Sequence, residues 1–127
     1  MDSIRDKVFA YVKTSYQVEP DYPFNMPPDD PVLRHPDTRK WFGILMNVPR
    51  SRLGLKGEER VEILNLKCAP GLAASLRMQE GILPGYHMNH DHWISVLLDG
   101  TVPVKEIYPL IDISFRLTQS GKARKKS

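Results

Sequence analysis

Apolar positions along this chain follow two rhythms. Ile4, Val8, Tyr11, Val12 and Ser15 recur at the 3.6-residue period, which predicts a helix from residue 2 to about 15 with one apolar face. Asp2 or Ser3 stands where a cap would accept the first free amides. From Pro31 the rhythm shortens. Residues 31–34 predict a short strand, His35-Pro36-Asp37 a turn, and the run KWFGILMNV from Lys40 to Val48 a strand rich in aromatic and branched side chains. Strand alternation sets Phe42, Ile44, Met46 and Val48 on one face. The other face carries Trp41, Gly43, Leu45 and Asn47, a mixed set that predicts partial solvation or a covering loop. Val61 to Cys68 is a further strand, with Leu64, Leu66 and Cys68 opposite Asn65 and Lys67.

Pro70 suits the first turn of a second helix running to about Gln79, with Leu72, Ala73 and Leu76 inward and Gly81 as a left-handed stop. Two strands flanking a polar crossing follow, the second being Trp93 to Leu98, closed by Asp99-Gly100. A last helix spans Val102 to about Thr118, its face marked by Ile107, Leu110, Ile111, Ser114, Phe115 and Thr118. Pro109 inside that pattern predicts a kink or a helix start near it. The order is helix, three strands, helix, two strands, helix, an α+β domain with helices packed on an antiparallel sheet.

Two connections break the rhythm. Glu19 to Pro31 holds five prolines and predicts irregular chain pinned by Tyr22 and Phe24. Pro49 to Arg60 is the longest polar link between strands, with Leu53 and Leu55 expected to tuck it down around a turn of helix.

With 127 residues the chain is one domain, 1–119, followed by a polar tail, 120–127, read as disordered. No apolar run is long enough for a membrane span, and the charged N-terminus lacks the pattern of a secretory signal. The single cysteine, Cys68, fits a reducing compartment, so a cytoplasmic protein is expected. The net charge of +3 comes from the tail: without Lys122, Arg124, Lys125 and Lys126 the body holds 14 basic and 15 acidic residues. Within the body, Arg34, Arg39, Lys40, Arg50, Arg52 and Lys56 face only Asp37 between residues 34 and 56.

The stretch from Gly81 to Gly100 carries the most distinctive sequence. Pro84-Gly85-Tyr86-His87-Met88-Asn89, His92-Trp93 and Leu98-Asp99-Gly100 resemble the signature of the MmcQ/YjbR family. Tyr22-Pro23-Phe24, Lys40-Trp41-Phe42 and Asn65-Leu66-Lys67-Cys68 match it in order, so the resemblance covers residues 1 to about 119. It implies an α+β fold of the CyaY-like or secretion-chaperone-like kind, and a DNA-binding role through a double wing.

Two functions from different classes follow. In the first, the loops His35–Lys40 and Pro49–Arg60 are the wings, and Arg39, Lys40, Arg50, Arg52 and Lys56 meet phosphates with Asn89 and His90. In the second, Trp41, Tyr86, His87 and Trp93 form the surface of a protein-interaction or small-ligand module. His87, His90 and His92 are weak metal candidates, because strand alternation would split them between faces and no cysteine lies near. No cofactor is expected. No catalytic residue is assigned, since Ser95 and Cys68 lie outside any nucleophile motif and no phosphate loop or paired carboxylates occur.

Overall fold

Ser3 opens the first helix, α1 (Ile4–Tyr16), by accepting the Asp6 amide at 3.1 Å, and Gln17 closes it in the left-handed region at φ 58°. In this computed structural model residues 3–23 and 30–119 are described. The expected Phe24 anchor and the 120–127 tail lie outside them. Val8 and Val12 are fully buried, whereas Ser15, placed on the same face by periodicity, is exposed and Tyr16 takes the inward position.

Strands β1 (Val32–Arg34), β2 (Trp41–Pro49), β3 (Arg60–Lys67), β4 (Ile82–Pro84) and β5 (Trp93–Leu97) form one antiparallel sheet in the order β1-β2-β3-β5-β4. Helices α2 (Pro70–Leu76) and α3 (Val104–Leu117) complete the predicted α+β order. One sheet face meets the helices: Leu45, Leu64, Leu66, Ile94 and Val96 join Val8, Val12, Ile107 and Ile111 in the main core. The other face carries a smaller cluster of Val48, Val61, Ile63 and Leu97, covered by Leu53, Leu55, Leu83 and Tyr86.

The face assignment of β2 departs from simple alternation. The register slips between Leu33 and Arg34, which pair with Gly43 and Trp41. This bulge turns Phe42 to the helix side, away from Ile44, Met46 and Val48. The supposedly mixed face is in fact the one under the helices, with Leu45 fully buried. The β2–β3 register begins at Gly43 and Leu66, so the Phe42 carbonyl and the Lys67 amide lie just beyond its end. Ser114 of α3 bridges the two, donating to Phe42 O at 2.6 Å and accepting from Lys67 N at 2.9 Å.

The second helix is shorter than predicted, ending at Leu76 with Arg77 as its cap. Gly81 is not its stop but the turn into β4, at φ 94°, where a Cβ would lie 2.6 Å from Val102. The last helix starts at Val104 and runs through Pro109, which is exposed. The carbonyl left without that proline's N–H therefore lies on a wet face. Residues 50–53 make the expected helical turn, of 3-10 form, capped by Gly54 at φ 78°.

Candidate functional site

On the sheet face away from the helices, two fully buried polar side chains stand opposite each other, Asn65 of β3 and Ser95 of β5. They grip the backbone of a single residue on both sides of its Cα. The Tyr86 amide donates to Ser95 Oγ at 2.8 Å, Ser95 donates on to Asn65 Oδ1, and Asn65 Nδ2 donates to the Tyr86 carbonyl at 3.0 Å. The ring is closed, so each polar group is satisfied in the dry interior. Gly85 makes the approach possible: a Cβ there would come within 2.7 Å of Trp93 Cβ and 3.0 Å of its backbone.

The loop held this way folds back over the sheet instead of crossing as a strand. His87 sits at φ 61°, in the left-handed region that few non-glycine residues adopt. Its ring lies 4.1 Å from that of Tyr86. Asn89 shapes the next turn, its Oδ1 accepting from Asp91 N at 2.8 Å and its carbonyl from the His92 and Trp93 amides. Arg77 donates to the His90 carbonyl at 2.7 Å and fixes the loop's far side.

Two small grooves flank this loop. The first, of about 240 Å³, is lined by Asp30, Asn47, Arg52, Arg60, Tyr86 and His87 among others. The second, of about 190 Å³, is lined by Arg52, Leu53, Leu83, Pro84, Tyr86, His87 and His90. Arg52, Tyr86 and His87 wall both. Arg60 is held in place by Asn47, donating from Nε to Oδ1 and from Nη2 to the backbone oxygen, each at 2.6 Å.

The residues singled out from sequence are spread over this frame. Arg52 and His90 meet at the second groove. Arg50, by contrast, closes its own loop, donating to Lys56 O at 3.1 Å and pairing with Asp99 at 3.6 Å. Lys56 is exposed on that loop. Arg39 and Lys40 lie at the opposite end of β2, and Arg39 pairs with Asp21 at 3.6 Å. Trp41 stands opposite Arg34, whose guanidinium is 5.8 Å from its ring, and Trp93 stands opposite Lys67. Both tryptophans are half-buried.

The Asp99 carboxyl lies below the ordinary carboxylate range. Burial pushes it up, but the Thr101 hydroxyl and amide and the Arg50 charge together outweigh that. Burial raises the Cys68 thiol, against a weaker opposing bond from the Ala69 backbone, so it is a core side chain held in its neutral form. His87 and His90 share a groove that His92 does not line, and among the described residues no three His, Cys, Asp or Glu side chains come together as a metal-ligand set.

The chain's resemblances bear on this site. The model of the YjbR family matches residues 13–117. The chain belongs to the YjbR family. Another YjbR-like protein, YyaQ of Bacillus subtilis (strain 168), described as uncharacterised, is 49% identical over 115 residues, 91% of this chain and 98% of its own. The uncharacterised YjbR of Escherichia coli (strain K12) is 40% identical over 63 residues, 49% of this chain and 53% of its own. A crystal structure of a Pseudomonas syringae protein superposes with TM-score 0.87 at 44% identity, covering 94% of this chain and all of that one. The Deinococcus radiodurans protein DR2400, with its DUF419 domain, gives TM-score 0.68 at 25% identity over 95% and 82%.

Arg60, Asn65 and Ser95 are the parts of this YjbR site that sequence reasoning missed. An asparagine between Leu64 and Leu66 was the available signal, because a polar residue in an apolar strand needs a buried partner. Arg60 stands four residues past Lys56, beyond two glutamates that end the basic segment, and enters the groove as the first residue of β3.

Proposed function

We propose that this YjbR protein is a non-catalytic, cytoplasmic DNA-binding protein that grips the phosphate backbone through its basic loops. The observation that supports this most is the convergence of Arg52, Arg60, His87 and His90 on adjoining grooves where Asp30 is the one acidic lining residue described. Arginine forks match phosphate geometry, and a fork held by Asn47 loses little freedom on binding. Lys56 and Arg52 extend the cationic surface along the Pro49–Arg60 loop, and among the described residues neither makes an ion pair.

The second wing is the turn holding Arg39 and Lys40. The nine residues of β2 separate the two wings, about 30 Å at some 3.3 Å per residue. That span suits two backbone contacts on one duplex about nine base steps apart. Because Arg39 and Arg50 are already paired with Asp21 and Asp99, the reading assigns the principal contacts to Lys40, Arg52, Lys56 and Arg60.

A protein or small-ligand partner is the second reading. It is favoured by the apolar floor of the second groove, where Leu53, Leu83 and Pro84 lie beside Tyr86.

Fluorescence anisotropy of a labelled duplex tests the first reading. Arg52→Gln and Arg60→Gln should each weaken binding and lower the salt slope by about one. Arg39→Gln should do less. Unchanged affinity and slope in both groove variants would refute the backbone reading at this site.

A further inference from the structure

The two grooves are each smaller than the roughly 300 Å³ at which small-molecule pockets begin. They adjoin across a shared wall of Arg52, Tyr86 and His87, and their chemistry differs. The first offers Asn47, Arg52 and Arg60, and the second offers Leu53, Leu83 and Pro84 with His90 at its edge. A ligand that fills both must be charged at one end and flat or apolar at the other.

We infer that the paired grooves take one nucleotide of a single strand, with its phosphate between Arg52 and Arg60 and its unpaired base over Leu53, Leu83 and Pro84 beside Tyr86. This rests on the nucleic-acid reading above and narrows it. Among the described lining residues the charge is matched: two guanidiniums and one carboxylate sum to one positive charge, the complement of one phosphodiester. The donors are prepared as well. Of the five N–H groups of Arg60, Asn47 engages two, and among the described residues no hydrogen bond or ion pair engages the others.

The wall between the grooves is fixed. Asn65 and Ser95 lock the Tyr86 backbone, and His87 keeps a left-handed backbone that persists only where the surroundings over-determine it. A duplex is a poor occupant of such a site, because its bases are stacked inside and one must be unpaired to reach the apolar groove. A single strand presents each base next to its own phosphate, and aromatic side chains accept any base face.

The experiment uses the full chain and anisotropy at one low salt concentration. The probes are a labelled oligothymidine, an abasic strand of equal length and charge, and a duplex of equal length. The thymidine strand should bind about tenfold or more tightly than the abasic strand, and more tightly than the duplex. Arg52→Gln should weaken it. Equal binding of abasic and thymidine strands, or tighter binding of the duplex, would overturn the inference while leaving salt-sensitive backbone binding intact. Failure of all three probes to bind would overturn both.

Discussion

Asn65 is fully buried in a strand of leucines, and its side chain bonds to Ser95 and to the Tyr86 carbonyl. Replacing it removes one partner from each and leaves both in a dry place. Each such orphan costs about 1–3 kcal/mol. Asn65→Ala should therefore lower unfolding free energy by at least that much in urea titration. Asn89→Ala, on the exposed part of the same loop, should stay within about 0.5 kcal/mol. Equal effects at the two positions would mean that Asn65 does not anchor the loop. At this scale the turn at Asp99-Gly100 that closes β5 was legible, because its backbone chemistry is local. The roles of Asn65 and Ser95 were not, because they depend on β3 lying next to β5, a pairing between strands about thirty residues apart.

The meeting of helix and sheet turns on Ser114. Its hydroxyl satisfies the Phe42 carbonyl and the Lys67 amide, just beyond the end of the β2–β3 register. Ser114→Ala leaves two buried backbone groups unpaired, and a loss of about 2 kcal/mol or more in chemical denaturation is expected. A change below about 0.5 kcal/mol would show that the sheet closes the gap itself. Nearby, buried His35 contacts Thr118 Oγ1 at 2.8 Å and lies against the Phe115 ring, tying the end of β1 to the end of α3. Burial lowers its affinity for protons, against smaller raising effects from Asp37 and the Phe115 backbone. The unfolded chain therefore takes up this proton at a higher pH than the folded one. The His35 contribution is complete above about pH 6.5 and is lost as pH falls through the folded value. Urea midpoints measured between pH 7.5 and 5 should fall on acidification, and the fall should be shallower in His35→Gln. Identical profiles would remove His35 from the account. The element order was legible because periods of 3.6 and 2 are local properties. The bulge was not, since a one-residue slip is set by the partner strand, and it reversed the expected side of Phe42.

For the whole molecule, charge placement carries more than net charge. The described body is close to neutral, and several of its cations are already spent on carboxylates: Arg5 on Glu62, Arg34 and Arg39 on Asp21, and Arg50 on Asp99. The sequence marked a basic segment from Arg34 to Lys56, and the fold divides it between the two ends of β2 and subtracts its paired members. Of what remains, Arg52 lines the grooves with Arg60 beside the Tyr86–His90 loop that the sequence had marked for other reasons, Lys56 stands exposed on the same connection, and Lys40 lies at the far end of β2. In the proposed mode the folded body, not the basic tail, holds nucleic acid. The most direct measurement is the dependence of duplex affinity on salt for the full chain and for a chain ending at Gln119. The shortened chain should keep a slope of about −2 or steeper in log K against log salt, as two or more phosphate contacts require. A slope that falls to zero, or binding that vanishes when residues 120–127 are removed, would contradict that mode.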